Sequence, residues 1–174
     1  MNLSDISPNV YPINLLSECS TGLCLFGAGF YGANDAIHMY NAGVRAVQVV
    51  DTDGEKLSVM EGIYPPTWVF DTNDVTVWVP KIANAKVITW DIVSVDAPTS
   101  MFPWVLSNFD EIATLANKYL VVTMAVELAE AVAYFCDNLD WELIDRMNRS
   151  QSGLIELLIF KRVGLSKTTT GGNK

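Results

Sequence analysis

Apolar positions along this chain follow two alternating spacings. Residues 23–26, 45–50, 67–71, 91–95 and 119–124 are short runs rich in apolar and β-branched side chains, with the length and composition of buried strands. Between them, residues 33–42, 53–61, 107–118 and 127–136 place apolar side chains three and four apart, as helices do. In 53–61, Asp53 is the N-cap and Leu57 and Met60 face inward. In 107–118 the stripe is Phe109, Ile112, Ala113 and Ala116, with Ser107 or Asn108 as cap. Strand then helix, repeated, predicts a parallel sheet with helices on both faces. Segment 75–90 is ambiguous: 75–79 fits a strand or a loop, and 80–85 a short helix. The alternation breaks at the end. Residues 141–147 and 154–163 are strand-like runs joined by a polar turn at 148–153, so they should pair antiparallel. Residues 13–16 fit a short helix or an extended segment covering the sheet.

At 174 residues the chain fits one domain. The expected division is an N-terminal extension at 1–20, the folded domain at 21–165 and a disordered Thr/Gly/Lys tail at 166–174. Half the residues are hydrophobic and 18% are charged, which suits a covered sheet. The formal charge of −9, from 20 acidic and 11 basic residues, sets a field that repels polyanions and makes a nucleic-acid partner unlikely. Cys19, Cys24 and Cys136 are odd in number and form no C-x-x-C pair, as expected of free thiols in a reducing cytoplasm. His38 is the only histidine, which excludes a multi-histidine metal site, so no metal is expected; its place is in the helix after the first strand. The first residues carry no basic leader and no apolar run reaches the roughly 18 residues of a membrane span. These features predict a soluble cytoplasmic protein.

Candidate chemistry begins at Gly27-Ala28-Gly29-Phe30-Tyr31-Gly32, directly after the apolar run Leu23-Cys24-Leu25-Phe26. A glycine turn from strand to helix lets a ligand approach the backbone and aims N–H groups at the helix start toward a polar or anionic group. The second strand run ends in Asp51, 22 residues after Gly29. A carboxylate there can accept two hydrogen bonds from a ribose diol. Together these point to a nucleoside-type ligand.

The order of elements, with the terminal hairpin, resembles the class I S-adenosylmethionine (SAM)-dependent methyltransferase family over roughly residues 20–163. The resemblance implies a Rossmann-like α/β three-layer sandwich. Its seven-stranded, mostly parallel sheet would run in the order 3-2-1-4-5-7-6 and end in an antiparallel C-terminal hairpin. It also implies SAM as cofactor. Gly27, Ala28, Gly29 and Gly32 would then lie beside the methionine part of SAM, Asp51 would hold the ribose hydroxyls, Asp74 would meet the adenine amino group, and Val75 would line the ring. Asp96, opening Asp96-Ala97-Pro98 after the fourth strand, would orient the acceptor or take its proton, with Tyr31 or Phe102 beside the methyl. The implied activity is methyl transfer to a small-molecule or protein acceptor.

Each assignment has a structural competitor. Asp51 and Asp74 also suit turns, and Asp96 a loop cap; Trp68, Trp78, Trp90 and Trp104 suit the core or its edge. Asp96-Ala97-Pro98-Thr99 departs from the Asp/Asn-Pro-Pro-aromatic motif of amino-methylating DNA enzymes. A small enzyme completed by a protein partner or by a second copy in a homo-oligomer, a non-catalytic binding or assembly module, and an NAD-dependent oxidoreductase therefore stand as alternatives. The terminal hairpin opposes the oxidoreductase.

Overall fold

A computed structural model of the chain describes residues 13–86, 88–138 and 141–163. The tail expected at 166–174 and most of the extension expected at 1–20 lie outside the described residues. Seven strands form one sheet: β1 (Thr21–Leu25), β2 (Ala46–Asp51), β3 (Val69–Thr72), β4 (Trp90–Val95), β5 (Ala116–Ala125), β6 (Trp141–Asn148) and β7 (Ile155–Arg162). Their order across the sheet is β3-β2-β1-β4-β5-β7-β6. The first five are parallel, and β7 runs antiparallel to both β5 and β6. This is the Rossmann-like architecture that the alternation and the terminal hairpin predict.

The central strands are apolar on both faces because helices cover both. Leu23 and Leu25 of β1 face α4 (Val75–Ala85), α5 (Phe102–Ser107), α6 (Phe109–Thr114) and α7 (Val126–Asn138). Cys24, between them, faces α1 (Ile13–Ser17), α2 (Phe30–Asn41) and α3 (Gly54–Glu61). Asp53 caps α3 by accepting the Lys56 N–H at 3.2 Å, and Leu57 and Met60 are its buried positions. Trp68, Trp78 and Trp90 are buried, and Trp104 packs edge-on against Phe26.

Two segments differ from the sequence expectation. The ambiguous segment after β3 is one helix, α4, although β-branched residues open it and Pro80 lies inside it. Asp74 starts it, its Oδ1 accepting the Thr76 N–H at 2.9 Å and the Thr76 hydroxyl at 2.7 Å. Val75, Trp78 and Val79 then bury one helical face, which offsets the backbone bond that Pro80 cannot donate. The helix expected over 107–118 is broken at Asn108, whose side-chain amide donates to Trp104 O at 2.8 Å and closes α5 instead of capping α6. It also ends early. Leu115 O accepts the Trp90 N–H at 2.9 Å, so the chain enters the sheet at Ala116.

At the amino ends of the strands, α1 buries Leu15 and Leu16, and the residue after it, Glu18, accepts from the Tyr119 hydroxyl at 3.0 Å and from Lys118 Nζ at 2.9 Å. Asp91 accepts the Ser20 N–H at 2.9 Å and the Ser20 hydroxyl at 3.1 Å. Burial pushes this carboxyl up, but the Ser20 hydrogen bonds outweigh it and hold it below the usual carboxylate range. Cys19 and Cys24 are buried free thiols. Burial, then the Asp91 charge, raises Cys19 to about 12, and burial with Asp35 raises Cys24 further. Neither is a thiolate at neutral pH. The Cys136 side chain lies outside the described residues.

Because the folded carboxyl of Asp91 is depressed, it stabilises the fold above its ordinary value of about 3.9, and that contribution is lost as pH falls through the folded value. Urea midpoints measured from about pH 5 to about pH 3 should fall less steeply in Asp91→Asn than in the parent chain. Parallel slopes would remove this carboxylate from the acid response.

Candidate functional site

Parallel strands β1 to β5 leave their carboxyl ends on one edge, and the strand order reverses between β1 and β4. Loops diverge at such a point and open a crevice. A cavity of about 560 Å³ lies there. Its walls bring together Ala28, Gly29, Asp51, Asp74, Val75 and Asp96, drawn from the loops after β1, β2, β3 and β4. Gly32 lies in the first turn of α2, where only the backbone is described. Gly27 is not among the described wall residues.

The glycine turn is held by its own backbone and by Asp51. The N–H groups of Gly27, Ala28 and Gly29 are already spent on Val50 O at 3.2 Å, on Asp51 Oδ2 at 3.0 Å and on Phe26 O at 3.3 Å. They are therefore not free donors for an anion. Gly27 is a packing glycine: a Cβ there would stand 2.4 Å from Val49 Cγ1 and 3.0 Å from Cys24 Cβ. Gly29 is the N-cap of α2 at φ −72°, and among the described residues only Phe26 O lies within 4 Å of an added Cβ, at 3.4 Å. The left-handed residue of this turn is Phe26, at φ 59°. Such a backbone costs a bulky side chain about 1–3 kcal/mol, and the edge-on contact with Trp104 helps hold it on the cavity wall.

Asp51 ends β2 with both oxygens engaged: Oδ2 accepts the Ala28 N–H and Oδ1 the Asp53 N–H, each at 3.0 Å. Each carboxylate oxygen has a second lone pair, so the pinned group can still accept from a ligand. Asp74 is held at the start of α4 through Oδ1, and Val75 beside it is buried. Asp96 is buried at the end of β4, its N–H bonded to Leu25 O at 3.2 Å. Among the described residues the cavity thus carries the carboxylates of Asp51, Asp53, Asp74 and Asp96 against a single basic side chain, Lys56. Phe26, Met101, Phe102 and Ile155 supply apolar wall to the same cavity.

Sequence reasoning missed Phe26, Lys56 and Thr123 as wall residues. Thr123 had a signal, since it is the one polar position in the apolar run 119–124. His38 lies in α2, where burial lowers its pKa despite Asp35, and it is not among the described wall residues. Tyr31 lies where side chains are not described. No group of three or more His, Cys, Asp and Glu able to hold a metal occurs among the described residues. No described helix is long and apolar enough to cross a membrane.

The two loop glycines should respond oppositely to a methyl group. Gly27→Ala drives Cβ into Val49 and should cost about 1–3 kcal/mol, whereas Gly29→Ala should stay within about 0.5 kcal/mol of the parent chain. Urea unfolding of both variants checks this, and equal losses would refute the packing role of Gly27.

Neither a family model nor a curated protein sequence matches the chain. Solved structures do match it in shape. Human methyltransferase-like protein 13, in complex with SAH (S-adenosylhomocysteine), is 12% identical, with 88% of this chain and 77% of that one covered and a TM-score of 0.64. Magnesium protoporphyrin IX methyltransferase from Synechocystis PCC 6803, with bound SAM, is 15% identical over 86% and 76%, TM-score 0.61. The tRNA m1G37 methyltransferase of M. jannaschii is 11% identical over 87% of this chain and 46% of that one, TM-score 0.58. At such identities the agreement is one of fold. The strand order, the antiparallel β7 and the crevice between β1 and β4 give this chain the fold of the class I SAM-dependent methyltransferases.

Proposed function

We propose that this chain is a SAM-dependent methyltransferase acting on a small-molecule or protein acceptor. The observation that carries the reading is Asp51, a carboxylate fixed by two backbone N–H groups at the end of β2 on the cavity wall. Its outward lone pairs suit a ribose diol. Asp74 Oδ2, on the far side of the capping oxygen, suits an adenine amino group, with Val75 against the ring. Ala28, Gly29 and Gly32 would border the methionine part, and Gly27 serves them by letting the loop settle on β2. An acid-rich wall with one lysine fits a cationic ligand better than an anionic one.

SAM, when bound, would supply a methyl group on a sulfonium sulfur, whose C–S bond breaks as an acceptor atom attacks the methyl in line, leaving the thioether SAH. What remains for the chain is alignment and proton removal. Asp96, whose N–H is bonded to Leu25 O and which lies on the cavity wall, would orient the acceptor or take its proton, so the lone histidine is not needed. The same fold serves a tRNA methyltransferase, so the fold alone does not select the acceptor. The net charge of −9 and the acidic walls favour a small molecule or protein over RNA. The antiparallel β7 speaks against the oxidoreductase reading. The departure at Asp96-Ala97-Pro98-Thr99 favours a second reading, a module that binds the cofactor without catalysis.

Calorimetric titration should show SAM and SAH binding the chain, with NAD silent; NAD binding in their place would overturn the proposal. Asp51→Ala should weaken SAM about ten- to hundredfold with little change in stability, since hydrogen bonds to a charged group are worth about 1.5–3 kcal/mol. Unchanged affinity would leave Asp51 as a loop tie only. Asp96→Ala should keep SAM affinity and lower the rate of SAH formation on a productive acceptor. SAM binding without turnover on small-molecule, peptide and RNA acceptors alike would favour the module.

A further inference from the structure

Behind the β4–β5 half of the cavity lies a polar group that the roles above do not use. Arg149, in the turn between β6 and β7, is paired with Asp35 on α2, both side chains being 1% exposed. Nη2 of Arg149 donates to Asp35 Oδ1, and Nη1 donates to the Thr123 hydroxyl oxygen at 3.2 Å. Thr123, at the carboxyl end of β5, is 2% exposed and is a wall residue of the cavity. Arg149 is itself held in place, its N–H bonded to Ile155 O at 2.8 Å.

A guanidinium can only donate, and its planar fork fixes the direction in which it does so. Toward Arg149 the Thr123 oxygen must therefore accept. A hydroxyl has one hydrogen, and that hydrogen is directed away from Arg149. Among the described residues none takes it. Buried hydroxyls ordinarily find a partner, and Thr123 is a wall residue of the cavity, where a ligand can supply one.

We infer that Thr123 is a specificity-determining hydrogen-bond donor for the molecule occupying the β4–β5 half of the cavity, and that Arg149, braced by Asp35, is the positioning residue that keeps it a donor. The ligand chemistry that fits is a small molecule with an acceptor atom, such as a carbonyl oxygen, on an apolar body. Phe102, Met101 and Ile155 would pack that body. Identifying this molecule as the methyl acceptor rests on the methyltransferase reading; the donor role of Thr123 does not.

The test uses three ring probes of similar size, with and without SAH: benzamide, which offers a carbonyl; toluene, which offers nothing; and aniline, which offers mainly N–H donors. Affinities are read from shifts of the Thr123 methyl signal or, in variants, of the Ile155 methyl signal. The parent chain should prefer benzamide to toluene by about tenfold. Thr123→Val should bring that ratio close to one with toluene affinity unchanged, and Thr123→Ser should restore it. Arg149→Met combined with Asp35→Leu removes both charges together and frees the hydroxyl to turn. Aniline should then gain on benzamide, a change in preference that loss of stability alone does not produce. A benzamide preference that survives in Thr123→Val, or no probe binding in the millimolar range, would overturn the inference. Absence of SAH binding, with the probe preferences as expected, would instead overturn the methyltransferase reading and support the donor role.

Discussion

The carboxylate of Asp51 ties together the loops that make the cavity. One oxygen holds Ala28 of the β1–α2 turn and the other holds Asp53 of the β2–α3 turn. The backbone around it continues the work: Val50 O accepts the Gly27 N–H, and Asp51 O accepts the Asn73 N–H at 2.9 Å from the loop after β3. Three loops are thus referred to the end of one strand. A ligand binding there meets a wall set before it arrives, which reduces the ordering cost of binding. The arrangement also explains Gly27, because a loop drawn this tightly onto β2 leaves no room for a Cβ beside Val49.

The opposite end of the sheet is closed by different means. β7 enters antiparallel between β5 and β6, and its side chains from Leu157 to Phe160 are fully buried. Arg162, at the end of β7, donates to Ala113 O and Ala116 O and lies 4.7 Å from the centre of the Trp141 ring, pinning the α6–β5 junction to the hairpin. The hairpin turn then reaches back to α2 through Arg149 and Asp35, residues 114 positions apart. Removing either partner alone would leave a buried charge without its counter-ion, the costly way to break such a pair. The hairpin therefore contributes both core and a brace at the carboxyl edge.

Function in this fold follows from what the strand ends present. Toward β2 and β3 the cavity offers carboxylates that already cap or tie backbone, so only their remaining lone pairs are left for a ligand. Toward β4 and β5 it offers the buried carboxylate of Asp96, the hydroxyls of Thr99 and Thr123, and apolar side chains. Ile155 of β7 and the segment after β4 also line the cavity. A division between a polar nucleoside end and a less polar acceptor end is the chemical content of the proposed reaction.

The alternation of buried strand runs with amphipathic helices determined the parallel sheet and its two faces, because burial on both sides demands continuous apolar strands. The polar turn at 148–153 between two strand runs determined the antiparallel hairpin, and Asp51 and Asp74 were legible as carboxylates at strand ends. Other features depended on contacts far along the chain. Val75 to Pro80 reads locally as strand or breaker, and only an Asp74 cap and a buried face made it helix. Asn108 reads as a cap for the helix after it, yet its amide closes the helix before it. The glycines read as a ligand loop, and that Gly27 must also lack a side chain is set by Val49, on another strand. Thr123 and Arg149 carried no joint signal, since a hydrogen bond spanning 26 positions leaves no periodicity to read. Short-range spacing records which face is buried, whereas the partner of each polar group is settled only when distant strands are brought side by side.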